Sequence, residues 1–470
     1  MSIGQCDHAC AVLRSDTSLG RQGGAGRQAN SDWKQVTTSP DRSNNTTANN
    51  YSTPSITGAV SIATASPTVS NYAQPYRVLS RAILPGMSVS EKSSPQRRTL
   101  DQKMGQLSSV VMPLIEIGAL GFATYVFVYS LCIQYLLAPS SELRSRGIQP
   151  RKGAAIALIT IYVLLVLIIL LTWLRMLQVI WTNPGIVPLG HPDSEKQDVG
   201  WMGIEKYDAF ISDYEGNPQW CDKCHNWKPD RAHHCRELNR CVRRMDHYCP
   251  WAGGIICEGT HKFFIQFVFY GALYTTFSWI PVAIFLAERI RVLGSKPGIW
   301  IAMLPLCGIF MIFTVTMFFM TFWNQSINYT TIETLQRGGV HNISMLVTRR
   351  DPSTQTSRRN SSSHNAREKP NVLREVTRSD GREYVVFQTQ PYVNPWDIGS
   401  MENLRTIMGN SIVQWILPFQ TSPCIKRDDV RGQYGWSREV IDMASDWERD
   451  HPDRRVVLLS HTRRSRRRSS

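Results

Sequence analysis

A cluster of cysteine and histidine residues near the middle of the chain has the spacing of a metal site. Cys221 and Cys224 form a C-x2-C pair, and His234 and Cys241 follow at a distance from which they can reach the same ion. Three thiolates and one imidazole complete a tetrahedral shell, which is typical of structural zinc, whereas a catalytic zinc keeps one position open for water. The sequence therefore predicts a structural zinc site made of these four residues.

A second group of reactive residues follows directly, in the string Asp246-His247-Tyr248-Cys249. In an extended segment, residues i and i+2 face the same way, so His247 and Cys249 can project together while Asp246 holds the other imidazole nitrogen. This is the arrangement of a nucleophilic thiol with its base and an orienting carboxylate. Taken alone, the string is equally consistent with a further pair of metal ligands, and both interpretations stay open at this point.

Four apolar segments flank these residues and are long enough to cross a lipid bilayer. The chain has 470 residues, and four windows contain no charged residue: Ile117–Leu137, Ala154–Leu174, Phe263–Ala287 and Ile299–Trp323. About 20 apolar residues of helix span the hydrocarbon core, so each window predicts one transmembrane helix. The predicted fold class is membrane α-helical, with four transmembrane helices and a zinc-binding cysteine-rich domain between helices 2 and 3. This excludes a purely soluble protein.

The cysteines, rather than the charged residues, predict on which side of the membrane the cysteine-rich segment lies. With four crossings, the segment between helices 2 and 3 shares its side with both termini, but the short loops carry too many basic residues for the positive-inside bias to decide. Six cysteines at metal-like spacings between Cys221 and Cys257 favour a reducing compartment. We therefore expect both termini and the cysteine-rich segment in the cytosol, in an endomembrane or the plasma membrane.

The chain carries more basic than acidic residues, which indicates the lipid bilayer as a partner. There are 52 Lys and Arg against 37 Asp and Glu, a formal net charge of +15. In a multi-pass protein such an excess is expected beside the anionic cytoplasmic leaflet. Only the tail Arg463–Arg468 is dense enough to contact a polyanion, and it is more typical of a solvated tail. We expect no nucleic acid partner.

Two polar regions are predicted to be disordered. Residues 31–70 are rich in Ser, Thr and Asn and have few large apolar side chains, so we expect residues 1–104 to be a disordered cytosolic region. The polar stretch Arg349–Arg378 is similar. The remaining boundaries are 105–181 for transmembrane helices 1 and 2, 182–262 for the cysteine-rich catalytic domain, 263–323 for helices 3 and 4, and 324–470 for a partly disordered cytosolic C-terminal region.

Taken together, these residues resemble the DHHC family of protein S-acyltransferases, or palmitoyltransferases. The shared pattern also includes Lys228-Pro229, Cys249-Pro250-Trp251 and Lys262-Phe263-Phe264. Three further signatures occur in the family's order: Asn183-Pro184-Gly185, which is similar to the DPG motif; Thr330-Thr331-Ile332-Glu333, which matches TTxE; and Asn394-Pro395-Trp396-Asp397-Ile398-Gly399 with Asn403, which is similar to the C-terminal motif. The resemblance covers roughly residues 105–420.

The chain departs from the family at one metal site. Its core reads DHYC rather than DHHC, a variant that also occurs in some fungal members. Family members commonly hold two zincs, and the second site would need Cys235 with three further ligands. Those positions hold Leu238, Tyr248 and Ile255, and Cys257 stands two places past the expected ligand. We therefore expect one zinc, with the loop around Tyr248 held by apolar and aromatic packing.

The resemblance implies a two-step transfer of a palmitoyl group. Cys249 would attack the thioester of palmitoyl-CoA while His247 takes the proton, and the acyl group would then pass to a cysteine of a membrane-associated protein. The chain would enter the helix bundle and the coenzyme A headgroup would stay in the cytosol. The residues expected to contact acyl-CoA are Arg231, Arg243, Arg244, Trp251, Tyr270 and Tyr274.

A second function class is a zinc-stabilised membrane scaffold whose catalysis has weakened with the loss of the second metal site. The retained Asp246, His247 and Cys249 count against it. A channel or transporter is disfavoured because such proteins often place ionisable residues at the membrane midplane, and these windows carry none.

Overall fold

Four long helices dominate the structure, as the charge-free windows predict. The structure, a computed structural model, describes residues 99–190, 207–336, 338–350, 370–425 and 434–457. Within these ranges, four helices are long and apolar enough to cross a membrane: α1 (Leu100–Leu137), α3 (Lys152–Thr182), α4 (His261–Leu293) and α5 (Gly298–Ser326). The short helix α2 (Ser141–Ser145) lies in the loop between α1 and α3. The predicted class, a four-helix membrane protein with a Cys/His cluster between its second and third spans, is confirmed.

Helix α1 begins at Leu100, whereas the sequence analysis extended the disordered region to residue 104. The reason is a capping box: the Thr99 hydroxyl accepts a hydrogen bond from the Gln102 N–H, and the Gln102 side chain accepts one from the Thr99 N–H. The last part of α1, Tyr125–Leu137, is π-helical. The predictions for residues 1–98, 351–369 and the basic tail lie outside the described residues.

The bundle is held together by large apolar side chains. Helix α4 packs on both α3 and α5, and the π-helical part of α1 packs on α3. Phe127, Tyr162 and Trp300 belong to the buried core of these helices. At one end of the bundle, Arg151 donates two hydrogen bonds of 2.7 and 2.8 Å to the carboxylate of Glu288, which ties α3 to α4.

The cysteine-rich segment consists of three short antiparallel hairpins. They pair β2 (Trp220–Cys221) with β3 (Asn226–Trp227), β4 (His233–Cys235) with β5 (Arg240–Val242), and β6 (His247–Cys249) with β7 (Gly254–Ile256). An isolated two-stranded hairpin is marginally stable in water. These hairpins therefore depend on contacts beyond their own strand pairs, among them packing against the helices.

A five-stranded antiparallel sheet combines one strand that precedes α4 with four strands that follow the short helix α6 (Thr331–Leu335). Four of its strands lie side by side in the order β1 (Ala209–Ser212), β8 (Asn342–Arg349), β10 (Glu383–Gln388) and β9 (Asn371–Thr377). The fifth strand, β11 (Arg454–Val456), pairs with the C-terminal part of β8. Helix α9 (Arg438–Asp450) covers one face, where Val440 and Trp447 pack with Phe387.

Strand β9 corrects the expectation that Arg349–Arg378 is disordered. Its residues pair with β10 from Asn371 to Thr377. Most of its side chains are exposed, so its composition is that of a solvated edge strand rather than of a core strand. Hydrogen bonds to the backbone of β10, rather than burial of apolar side chains, therefore hold β9 in the sheet.

Two short helices of the C-terminal region pack beneath the membrane helices. Helix α7 (Ser400–Met408) places Ile407 and Met408 against Ile265 of α4, and α8 (Ile412–Ile416) follows it. The amide of Asn403 in α7 donates to the carbonyl of Ser326 at the end of α5, over 2.9 Å. This contact anchors the C-terminal motif to the fourth span.

Candidate functional site

The structure brings the four predicted metal ligands together. Cys221 ends β2, Cys224 lies in the turn that follows, and the pairing of β4 with β5 places His234 opposite Cys241. Their ligand atoms all lie within 4.8 Å of one another, and His234 Nδ1 is 3.6 Å from the sulfur of Cys221 and 3.3 Å from that of Cys224. Ligand atoms at these separations, from three cysteines and one histidine, fit a tetrahedral zinc ion.

An apolar cluster occupies the place of the family's second metal site. Cys235, Ile255 and Cys257 are fully buried there, and Leu238 and Tyr248 pack against them. The Cys257 thiol donates to the carbonyl of Pro184 over 2.8 Å. Among the described residues, the metal-ligand grouping does not include Cys235 or Cys257. Aromatic and aliphatic packing thus holds this part of the segment.

The β6–β7 hairpin places the reactive residues. Strand β6 runs from His247 to Cys249, so these two side chains lie on the same face of the hairpin. Asp246 precedes the strand, and its Oδ2 lies 2.6 Å from His247 Nδ1. The turn requires glycine at Gly253, where φ is +83° and an added Cβ would lie 2.7 Å from the Leu177 side chain. The hairpin therefore packs directly on α3.

The charges of Asp246 and His247 suit a thiol nucleophile at Cys249. Burial acts to raise the pKa of Asp246, but the imidazoles of His247 and His261 hold it well below its usual range. Burial acts to lower the pKa of His247, but hydrogen bonds with Asp246 and Cys249 outweigh it and raise the pKa to about 10. His247 is therefore protonated at neutral pH. An imidazolium beside a cysteine sulfur stabilises the thiolate.

Helix α6 fixes the orienting carboxylate. The Thr331 N–H donates to Asp246 Oδ1 over 2.9 Å, and the Thr331 hydroxyl donates to Oδ2 over 2.8 Å. The helix itself is held by a capping box in which Glu333 accepts from the Thr330 N–H over 2.8 Å. The sequence analysis noted this tetrapeptide only as a family signature, and its capping pattern was the signal that it begins a helix.

The three arginines expected at the coenzyme A headgroup have other partners. Arg231 forms a bidentate ion pair with Glu333, at 2.6 and 2.7 Å, and Arg243 pairs with Glu258 at 3.0 Å. Arg244 donates to the side chain of Asn328 over 2.8 Å. All three arginines are buried. These residues therefore build the scaffold beneath the reactive hairpin, and their contact with acyl-CoA stays a prediction.

An apolar cavity of about 160 Å³ leads from Cys249 into the helix bundle. All four long helices contribute to its walls, and its lining includes Trp251 and Tyr274. The Tyr274 hydroxyl is 2.8 Å from that of Tyr162, which is 2.9 Å from the hydroxyl of Thr124. This chain of hydroxyls crosses the bundle from α4 to α1.

Tyr270, which with Tyr274 is expected to contact acyl-CoA, is not part of the cavity lining. Its hydroxyl donates to the carbonyl of Ile416 over 2.5 Å, so the side chain faces the C-terminal helices. Glu116 also lines the cavity. Its position as the last charged residue before the first apolar window is more typical of an interfacial residue than of a functional one.

Comparison with known proteins places this geometry in a family. A family model described as DHHC palmitoyltransferase matches residues 214–338. The chain is 33% identical over 392 residues to "Palmitoyltransferase pfa5" of Aspergillus fumigatus, covering 70% of this chain and 87% of that protein. It is 23% identical over 378 residues to "Palmitoyltransferase PFA5" of Saccharomyces cerevisiae, covering 74% and 89%. With "Palmitoyltransferase ZDHHC15" of Homo sapiens it shares 25% identity over 240 residues, covering 49% and 56%.

Proposed function

Because this chain belongs to the DHHC palmitoyltransferase family and is a protein S-palmitoyltransferase, we propose that Cys249 carries the acyl group between palmitoyl-CoA and a protein cysteine. The observation that carries the proposal is the position of Cys249, which borders both the Asp246–His247 pair and the apolar cavity. A thiol in this position meets the reacting carbonyl of a thioester whose chain lies in the membrane.

The first step starts from a thiolate beside a protonated His247. The Cys249 sulfur attacks the thioester carbonyl, a new carbon–sulfur bond forms, and the bond to coenzyme A breaks. His247 gives its proton to the departing coenzyme A thiolate and becomes neutral. Asp246 stabilises the imidazolium before this transfer and orients the ring throughout.

The second step restores the starting state. A cysteine thiol of a membrane-associated protein gives its proton to neutral His247 and attacks the acyl-Cys249 carbonyl. Cys249 leaves as a thiolate beside the imidazolium that has formed. Because one thioester replaces another, the free energy of the exchange is near zero, and catalysis consists of positioning and activation.

The cavity is where the palmitoyl chain binds in this scheme. Trp251 lines it beside Cys249, and the Tyr274–Tyr162 hydroxyl pair sets its inner limit. The coenzyme A headgroup is too polar for such walls and stays outside, on the side of the cysteine-rich segment.

One zinc ion at Cys221, Cys224, His234 and Cys241 completes the fold of the cysteine-rich segment. When bound, it would join β2, β4 and β5, which are too short to be stable alone. All four ligand positions are protein atoms, so the site has a structural role and no part in the acyl transfer.

We place the cysteine-rich segment and both termini in the cytosol of an endomembrane or plasma-membrane protein. The support is the set of six cysteines between Cys221 and Cys257, all of which are free thiols and buried. Metal-binding thiols are kept reduced in the cytosol.

The test is acyl transfer by the purified full chain in detergent. Labelled palmitoyl-CoA should label the protein, hydroxylamine should release the label, and the label should pass to a cysteine peptide added with liposomes. Cys249→Ser should abolish both steps, whereas Cys424→Ser, the same change outside the reactive hairpin, should leave them intact. Transfer by Cys249→Ser at the parent rate would show that another residue carries the acyl group. Retained zinc with no acylation of the parent chain would instead favour the scaffold interpretation.

A further inference from the structure

A second histidine faces the orienting carboxylate. His261 is the first residue of α4, its side chain is 1% exposed, and its Nε2 lies 3.4 Å from Asp246 Oδ1. The acyl-transfer scheme above does not use it, and the sequence analysis gave it no role. A buried imidazole against a buried carboxylate needs a reason, because each polar group costs free energy unless it is paired.

Four groups surround the Asp246 carboxylate: three of them donate hydrogen bonds, and the fourth, the His261 imidazole, faces it without a hydrogen bond. Oδ2 receives the His247 Nδ1–H and the Thr331 hydroxyl, at 2.6 and 2.8 Å. Oδ1 receives the Thr331 N–H at 2.9 Å and faces His261 at 3.4 Å. The carboxylate can rotate about its terminal torsion, which has broad minima, unless both oxygens are held. His261 is the side-chain partner of the oxygen that His247 does not use.

The contact of His261 is the longest of the four. Hydrogen bonds in catalytic networks are often long before the reactants bind and shorten in the reacting complex. A donor that tightens on Oδ1 at that stage opposes rotation of the carboxylate as His247 loses and regains its proton.

The same turn of α4 also contacts the other members of the site. Phe264, one turn after His261, places its ring edge-on to the His247 imidazole at 5.4 Å between centroids. Phe263 and Phe264 belong to the buried cluster that contains Cys249. The Thr260 hydroxyl, directly before the helix, donates to the carbonyl of Ile255 in β7 over 3.0 Å. The start of α4 is therefore fixed to the reactive hairpin.

We infer that His261 is a positioning residue for acyl transfer, which donates its Nε2–H to Asp246 Oδ1 and so keeps Oδ2 directed at His247. The inference rests on the proposed roles of Asp246, His247 and Cys249. Its consequence is that α4, which carries the cavity residue Tyr274, also sets the orientation of the catalytic imidazole. The acyl cavity and the proton-transfer pair thus share one rigid element.

The test compares three substitutions of His261 in the full-length protein. His261→Gln places an amide N–H near the position of Nε2, His261→Asn places one near Nδ1, and His261→Phe keeps the ring without a donor. We expect the self-acylation rate constant at saturating palmitoyl-CoA to fall roughly 10-fold in His261→Phe and His261→Asn, and to stay within roughly 3-fold in His261→Gln, the range of a hydrogen bond to a charged group. The KM for palmitoyl-CoA should not change.

A second arm asks whether His261 acts through Asp246. In an Asp246→Ala background, His261→Phe should cause no further loss, because residues that act through one partner are not additive. Zinc content and a single size-exclusion peak identify folded variants. If His261→Phe does not fold, the comparison of the Gln and Asn variants decides.

Four results separate the possibilities. Parent rates in His261→Phe, equal rates in the Gln and Asn variants, or an additive loss in the Asp246→Ala background would each overturn the role of His261 alone. Parent rates in Asp246→Ala itself would overturn the proposed catalytic roles, and the inference with them.

Discussion

Neutralising Glu333 should destabilise the protein by about 3 kcal/mol, because it leaves the charge of Arg231 buried without a counter-charge. The two side chains are 7% and 0% exposed, and Arg231 donates to both carboxylate oxygens over 2.6 and 2.7 Å. Breaking a buried ion pair by removing one partner costs about 3–5 kcal/mol. Glu333→Gln belongs at the lower end, because the amide still accepts one hydrogen bond and Asn328 still binds Arg231.

Loss of the Glu333–Arg231 ion pair should also affect the catalytic residues. Burial acts to raise the pKa of Glu333, but Arg231 outweighs it and lowers the pKa, so the carboxylate is ionised and paired at neutral pH. Glu333 caps the helix that carries Thr331, and Thr331 holds Asp246. Glu333→Gln should therefore slow self-acylation as well as lower stability, and Glu333→Ala, which also removes the cap acceptor, should be worse.

The assay is the midpoint of thermal unfolding in detergent, followed by tryptophan fluorescence. Trp396 is a local reporter, since its ring lies 4.8 Å from the Arg231 guanidinium. The entropy of unfolding grows with chain length, and for 470 residues it corresponds to about 1 °C per kcal/mol, so the Glu333→Gln midpoint should fall by roughly 3 °C. The control is Glu402→Gln, which breaks a surface pair with Arg405 whose side chains are 57% and 46% exposed. An exposed pair contributes little, so its midpoint should move by less than about 1 °C.

Two results would refute this reasoning. One is a Glu333→Gln midpoint no lower than that of the surface control. The other comes from the double variant Arg231→Met with Glu333→Leu, which removes both charges and should be more stable than either single variant. If the double variant loses as much stability as the two single variants together, the pairing of these two charges does not determine the stability of the fold.

Three further predictions concern the reactive hairpin and the metal. His247→Ala should slow self-acylation by about 10²–10⁴-fold, whereas Tyr248→Phe should cost only about 1 kcal/mol of stability through its lost hydrogen bond to Ser109; equal losses of activity in the two would reverse their roles. Purified protein should contain about one zinc per chain, lost in Cys221→Ala and retained in Cys257→Ala; loss of an equivalent in the latter would reveal a second site. Because the pKa of His247 is raised to about 10, the stability that its pairing with Asp246 contributes should be full below about pH 6.5 and decline as the pH rises towards 10, so the difference in unfolding midpoint between the parent protein and His247→Gln should shrink over that range. A difference that does not change with pH would contradict the pairing of a protonated His247 with Asp246.

Local patterns predicted most of the site. The C-x2-C pair and the alternation of His247 and Cys249 depend on backbone geometry within a few residues, so spacing alone brings these groups together. The apolar windows predicted the four spans for the same reason. Hydropathy did not predict the first turns of α1, because a capped, water-facing extension has no apolar signal.

Contacts between residues far apart in the chain explain the features that the sequence did not predict. The burial of Arg231 was not predicted, because its partner Glu333 lies 102 positions along the chain. The contact of Tyr270 with the C-terminal helices was not predicted either, because helical spacing gives the face of a helix but not what covers it. Strand β9 is polar, and only its pairing with β10 makes it a strand.

The N-terminal end of α1 holds the reactive hairpin at the place where the family resemblance implies a second metal site. Gln106 donates to the carbonyl of Glu237 over 2.6 Å, and the Tyr248 hydroxyl donates to Ser109 over 2.9 Å. The tyrosine in the place of a metal-binding histidine thus binds the hairpin to a membrane helix. That helix continues from Ser109 to Thr124, about 22 Å at 1.5 Å per residue, along the wall of the acyl cavity. Helix α1 therefore connects the inner limit of the cavity to the residue beside the nucleophile.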